Sequence, residues 1–267
     1  MKPSLDISIC VVLFRAEEGS IRFHHELLAS LREHQGFEVL YYDNSPTDGL
    51  REPLGFNPDG LPVTYVHDPR NLGFSYANNQ LILGSRRTKV LLLNPDVYGF
   101  TPELWRFIAS LDVAECARFA RLLNADGSFQ DCVGEPTSLL RPFRPRRAYA
   151  DLREPEAVGM GIMAFMLAER RVYAHVGLLD CAYPLYAEDM DWCYRAGKMG
   201  YPSVFDPRIE LTHTGGASAS DRWSRNATLL KKYRAEALFV DRHFSGLHWM
   251  ALRALNAVKQ WRARLKR

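Results

Sequence analysis

The chain has 267 residues, of which 47% are hydrophobic and 24% charged, and its net charge is +3. That length supports one large domain or two modest ones, and that composition excludes a disordered, collagen-like or low-complexity chain. Five scattered cysteines (Cys10, Cys116, Cys132, Cys181, Cys193) form no CxxC pair, which argues against a disulfide framework or a zinc knuckle and for a reducing compartment. In chain order, "ISICVVLF" (7–14) reads as a buried strand and 19–34 as a helix. "EVLYY" (38–42) and "VTYVH" (63–67) are strand-like, and "SYANNQLILGSR" (75–86) is a helix. "VLLL" (90–93) suits the middle of a sheet covered on both faces. "TPELWRFIASL" (101–111) has Thr101 as N-cap, Pro102 at the first helical position and Glu103 in the first turn, a complete helix start.

The second half is less regular. Asp126-Gly127 predicts a hairpin turn. Residues 134–157, rich in Pro and Arg, read as a mobile or ligand-covering loop. "GMGIMAFML" (159–167) reads as one buried strand, with Gly159 and Gly161 where something approaches the backbone closely. A helix running to His175 and a short helix within 186–201 follow, then strand-like "SVFD" and "IELTH", and two closing helices at about 221–243 and 247–265. Alternating strands and helices imply an α/β fold with a mostly parallel sheet.

Each early strand empties into polar residues: Arg15, then Asp43-Asn44-Ser45, then Asp68-Pro69-Arg70-Asn71, then Asn94-Pro95-Asp96. In an open parallel sheet those exits share one edge, where ligands of such folds bind. Neither a Walker A lysine motif nor GxGxxG after the first strand is present, which disfavours a nicotinamide enzyme. Asp96 is open to two readings, a turn residue or a ligand for a cation that offsets phosphate charge; Mg²⁺ needs only one or two carboxylates beside substrate oxygens. His213, at a later strand exit, is a turn histidine or a second ligand, and imidazole favours Mn²⁺ over Mg²⁺. In "EDMDW" the helical period puts Glu188, Asp191 and Arg195 on one stripe and leaves Asp189 about 100° away, without a countercharge and free to face a ligand. Dipole compensation at a helix start suits all three acids equally.

"DNSPTDG", "NLGFSYANNQ", "LLLNPDV", "LLNADGSFQ", "EDMDWCYRAGKMGYP" and "LTHTGGAS" occur in that order. The ordered set resembles the signatures of family 2 glycosyltransferases with the GT-A fold, closest to the bacterial rhamnosyltransferases and related galactofuranosyltransferases, over roughly residues 5–245. The resemblance implies a catalytic domain over 1–220, with a nucleotide-sugar half to about 112 and an acceptor half beyond it, and a helical extension over 221–267. It implies that Asp43 bonds the nucleotide base, that Arg70, Asn71 and Gly73 contact nucleoside and phosphates, and that Asn94-Pro95-Asp96 stands for the metal-binding DxD motif. Arg15, Asn44 and Asn94 belong to the same donor edge. Asp96 and His213 then hold Mg²⁺ or Mn²⁺, Asp189 is the catalytic base, and Glu188, Trp192 and Gly161 lie on the acceptor side. The implied activity is an inverting transfer of a sugar, L-rhamnose from dTDP-rhamnose or another sugar from a UDP-sugar, to a hydroxyl of a glycan or lipid-linked glycan. Asn94 departs from the first acid of DxD. A non-catalytic nucleotide-sugar or glycan-binding protein on the same scaffold is therefore the alternative.

Charge is unevenly spread: from Arg242 onward there are seven basic residues and no acid. Leu247, Met250, Leu255, Val258, Trp261 and Leu265 supply apolar bulk there, which fits either an anionic membrane surface or packing on the catalytic domain. The apolar run 7–14 lacks a cleavage site and no run reaches the ~18 residues of a membrane span, so a cytoplasmic protein is expected, at most peripheral on the membrane. Basic "RPFRPRR" (141–147) without a recognition motif does not point to nucleic acid.

Overall fold

The computed structural model describes residues 2–15, 17–55, 60–136, 149–215 and 225–265. In chain order the elements are β1 (Ser4–Leu13), α1 (Glu17–Leu31), β2 (Gln35–Asp43), α2 (Arg51–Gly55), β3 (Val63–His67), α3 (Phe74–Gly84), β4 (Lys89–Leu93), β5 (Val97–Tyr98) and α4 (Pro102–Ser110). Then come β6 (Ala117–Leu123), β7 (Val133–Gly134), β8 (Glu156–Val158), β9 (Met160–Gly161), β10 (Phe165–Glu169), α5 (Arg170–Val176), α6 (Glu188–Lys198), β11 (Ser203–His213), α7 (Arg225–His243) and α8 (Gly246–Leu265).

Nine strands form one mixed sheet in the order β3-β2-β1-β4-β10-β6-β11-β5, with β8 added on β11. β1, β2, β3 and β4 pair in parallel. β10 is antiparallel to both β4 and β6, and β6 is parallel to β11. Two reversals restore the original direction, so β11 points the same way as β1 to β4. The ends of β2, β4 and β11 therefore share one sheet edge, which the Candidate active site occupies. β1 and β4 carry Ile7, Ile9, Val11, Val90, Leu91 and Leu92 with no exposed surface, as strands covered on both faces must. On α4 the hydroxyl of Thr101 accepts from the Leu104 N–H at 3.1 Å, a cap worth about 1 kcal/mol. It starts the helix that buries Trp105, whose indole N–H donates to Ser30.

Four expectations change. Residues 159–167 are not one strand: Met160–Gly161 pairs with Val133–Gly134, the chain turns at Met163-Ala164, and only Phe165–Glu169 enters the main sheet. "SVFD" and "IELTH" are one strand, β11, whose register shifts between Asp206 and Glu210 because Pro207 has no N–H to give the ladder. Part of 134–157 is ordered as β8 and a 3-10 turn at Tyr149–Asp151, while 137–148 lie outside the described residues. Finally, α2 had no sequence signal.

A second small cluster of Tyr183, Met190 and Phe239 joins α7 to α6. Among the described residues no helix is long and apolar enough to cross a membrane.

Candidate active site

Asp96 and His213, more than a hundred residues apart, are brought together by a two-residue strand. β5 lies antiparallel to the end of β11, with Val97 opposite His213 and Tyr98 opposite Thr212. The Thr214 N–H donates to the Asp96 carbonyl at 3.0 Å, extending the pairing by one step. The outcome is a carboxylate Oδ1 3.2 Å from the His213 Nε2. His213 Nδ1 lies 2.6 Å from Gln130 Oε1. The Gln130 amide cannot be turned the other way without loss, because its Nε2 donates to Asn124 Oδ1 at 3.1 Å and to the His213 carbonyl at 3.4 Å. Nδ1 thus carries a proton, and Nε2 is the nitrogen that faces Asp96. A carboxylate oxygen and Nε2 at that distance share positive charge, either a proton on Nε2 or a cation held by both. The donor set, one carboxylate and one imidazole oriented from behind, fits a divalent ion that takes its remaining ligands from water and phosphate. Among the described residues no third His, Cys, Asp or Glu joins them.

The donor edge divides into residues available to a ligand and residues already committed. Asp43 has no exposed surface; its Oδ1 accepts from the Ser45 N–H at 2.8 Å and its Oδ2 from the Tyr65 hydroxyl at 2.6 Å. It shapes the exit of β2 rather than reaching a base, which corrects the direct base contact implied by resemblance. Tyr65 is correspondingly harder to ionise, through burial and then the Asp43 bond. Asn44 keeps a buried Oδ1 without a partner. Arg70 bonds Asp68 through Nε and Nη2, and Tyr42 donates to the same carboxylate at 2.7 Å. Together these hold the Asp68 carboxyl well below the ordinary carboxylate range. Asn71 is left-handed (φ 47°), and Arg15, also left-handed, donates its N–H to Ser45 at 2.8 Å. Asn94 anchors the turn after β4, its N–H donating to the Ala164 carbonyl at 3.0 Å.

Gly73 has a packing role that the sequence did not suggest. Its φ is +99°, and a Cβ there would stand 2.7 Å from the carbonyl oxygen of Pro184. The Phe74 N–H donates to that same oxygen at 2.8 Å. Ser75 donates to the Tyr183 carbonyl at 2.6 Å. The side chain of Asn79 accepts from the Leu179 N–H at 3.0 Å and donates to the Leu179 carbonyl at 2.8 Å. One face of "GFSYANN" is therefore a clamp on segment 179–184, which leads into α6. The other side of that lead-in is held by α6 itself: Arg195 donates to the carbonyls of Val176 and Leu178, and the Trp192 indole to that of Gly177. Trp192 has no exposed surface, so it positions α6 and does not touch an acceptor, a second correction. Gly161 is the third: a Cβ there would stand 2.3 Å from the Phe119 ring, so the close approach is internal packing.

The clamped segment ends in two consecutive left-handed residues, Tyr186 (φ 72°) and Ala187 (φ 67°). Such backbone costs ~1–3 kcal/mol per residue and persists only where its surroundings hold it. It delivers Glu188 and Asp189 at the first turn of α6. Asp191 and Arg195 form the anticipated i,i+4 pair at 2.8 Å. The expected contrast between the other two acids is reversed. Asp189 is half-buried and lies in the field of Lys232 on α7, while buried Glu188 keeps an Oε2 with no partner. Burial raises the Asp189 carboxyl above the ordinary range, opposed by bonds from the Met190 and Asp189 N–H groups and by Lys232. Burial and the neighbouring Asp189 charge raise Glu188 well above it.

Gln130, Asn79, Lys232 and His243 carried no assigned role in the sequence. His243 Nε2, at the end of α7, lies 2.6 Å from Asp191 Oδ1 and locks the helical extension to α6. Gln130 stood in plain view as the last residue of "LLNADGSFQ", but a hairpin return that faces a distant histidine has no local signature.

The chain is 30% identical over 217 residues to the N-acetylglucosaminyl-diphospho-decaprenol L-rhamnosyltransferase of Mycobacterium tuberculosis, covering 69% of this chain and 68% of that protein. This chain belongs to the family 2 glycosyltransferases with the GT-A fold. No family model matches it. Two solved structures share the fold of this glycosyltransferase at low identity. One is a mannosyltransferase from Pyrobaculum calidifontis in complex with GDP-Man and Mn²⁺ (TM-score 0.64, 14% identity, 98% of this chain and 73% of that one). The other is S. aureus TarS 1-349 in complex with UDP-GlcNAc (TM-score 0.57, 15% identity, 96% and 72%).

Proposed function

We propose that this glycosyltransferase moves L-rhamnose from dTDP-rhamnose to a hydroxyl of a lipid-linked glycan, with inversion at the anomeric carbon. Residues 1–112 receive the donor, with Arg15, Asn44, Arg70, Asn71 and Asn94 at the strand exits. The acceptor lies over 113–220, beside Glu188. Asp189 takes the proton of the acceptor hydroxyl; that oxygen forms the new bond to the anomeric carbon as the bond to the diphosphate oxygen breaks. The strained lead-in at Tyr186-Ala187 presents the base, and burial makes its carboxylate more basic than a solvated one. Asp96 and His213 would hold Mg²⁺ or Mn²⁺, which when bound supplies positive charge to the departing diphosphate.

The observation that carries this reading is the approach of Asp96 to a His213 whose Nε2 is aimed by Gln130. The relative's name supplies the sugar and the lipid-linked acceptor, and the shared fold supplies the nucleotide-sugar donor class. Asp189→Asn tests the mechanism: donor binding measured by calorimetry stays, and transfer falls by at least ~10²-fold. Transfer within a few-fold of wild type removes Asp189 as the base.

A further inference from the structure

α8 has two faces, and only one is used by the fold. With 100° per residue, Trp249, Leu252, Asn256, Lys259 and Ala263 fall within about 60° of one direction. That face packs on α7: Asn256 donates to the Tyr233 carbonyl and Lys259 to Glu236, while the Trp249 indole and Arg253 both engage Asp241. Leu252, Asn256 and Ala263 are buried there. Directly opposite, Leu247, Met250, Leu255, Val258 and Trp261 form a continuous apolar strip in solvent, with Leu247 83% and Trp261 60% exposed. Arg264 borders the strip at about 80° from the Asn256 direction, and Arg262, at about 240°, stands within it between the directions of Val258 and Leu255.

We propose that this strip is a docking face for an anionic lipid bilayer. Charge selects that occupant. From Gly246 to the end the sequence has six basic residues and no acid, and the α7 acids nearest to it, Glu236 and Asp241, are already neutralised by Lys259 and Arg253. A second copy of this chain would set cations against cations. A bilayer with anionic headgroups accepts the apolar strip and pairs with Arg262 and Arg264, since long basic side chains can keep their charge at headgroup level while their stems meet apolar surface. The face is coupled to the catalytic helix, because α7 ends in His243 bonded to Asp191 and in Arg242 paired with Asp180. Docking therefore holds the base at a set height over the membrane, an advantage that rests on the lipid-linked acceptor reading; the docking itself does not.

The test is flotation of the full chain with phosphatidylglycerol–phosphatidylcholine vesicles against phosphatidylcholine alone. Binding is expected only with the anionic vesicles, and weakening as salt rises. The triple variant Leu255→Asp, Val258→Asp, Trp261→Asp should lower the partition coefficient at least ~10-fold. Arg262→Gln with Arg264→Gln should lower it ~10-fold with the apolar strip intact. Because all five side chains lie outside the α7 contact, melting temperatures should match wild type. Equal binding of wild type and the triple variant overturns the proposal. So does a dimer in gel filtration that the triple variant converts to monomer, since a second copy then covers the strip. Vesicle binding is read without turnover, so a failed rhamnosyl-transfer assay and a failed docking assay are distinct results.

Discussion

Replacing Gln130 with leucine removes the acceptor behind His213 while leaving both proposed metal ligands in place. The bond lost is 2.6 Å long and lies in a partly buried site. Without it the imidazole is free to rotate and to place its proton on Nε2, the nitrogen facing Asp96. Loss of such an outer partner of a ligating histidine typically costs ~10–100-fold in metal affinity, or ~1.4–2.8 kcal/mol. Folding should suffer less, because the Asn124 side chain stays held through its Nδ2 donation to Ser128 at 2.9 Å, and only its Oδ1, in an exposed turn, loses a partner. The assay is the Mn²⁺ dependence of nucleoside-diphosphate binding, followed by calorimetry. Gln130→Leu should shift the Mn²⁺ midpoint upward by that factor, His213→Ala by more, and Gln130→Glu by less than Gln130→Leu, because a carboxylate still accepts from Nδ1 although it cannot donate to Asn124. An unchanged midpoint in Gln130→Leu alongside a large shift in His213→Ala would refute the positioning role. An unchanged midpoint in both would remove the metal pair altogether.

Glu188→Gln should stabilise the protein in a pH-dependent way. The folded carboxyl sits above its unfolded value, so its cost is absent at acid pH, grows as pH rises past the ordinary carboxylate range and is fully present above the folded pKa. Thermal melts should therefore show a gain at pH 8 that vanishes near pH 4, and a pH-independent gain contradicts the assignment. Asn79→Leu leaves both polar groups of buried Leu179 unpaired, costing about 2–4 kcal/mol. Hydrogen exchange should quicken over 177–187, and wild-type protection there would dismiss the clamp. The acid limb of kcat/KM should lie above the ordinary carboxylate value, since burial raises Asp189; a limb at or below that value excludes it as the base.

Helix and strand placement was largely legible because it depends on neighbours along the chain. Thr101-Pro102-Glu103 needs nothing distant to start α4, and "VLLL" can satisfy its backbone only inside a covered sheet. The row of polar strand exits was legible for the same reason, as was the Asp191–Arg195 pair, which is one helical turn long. What local pattern could not carry was which of these polar groups still has a free valence. Asp43 and Arg70 both look free in sequence, yet Tyr65 bonds one Asp43 oxygen and Asp68 holds the Arg70 Nε and Nη2, leaving the exposed Nη1 side of Arg70 for a ligand; those partners come from another strand and from a turn. Helical period placed Glu188 and Asp189 on different stripes but could not know that α7 would bring Lys232 toward one and leave the other's oxygen unbonded. Trp192 and Gly161 were legible as special residues, but only packing decided that they serve Gly177 and Phe119 rather than a substrate. The sequence by itself determined the strands, their exits and the order of the motifs. Tertiary structure decided that Asp96 meets His213, because β5 and β11 must first come together across more than a hundred residues before either side chain has a neighbour to act on.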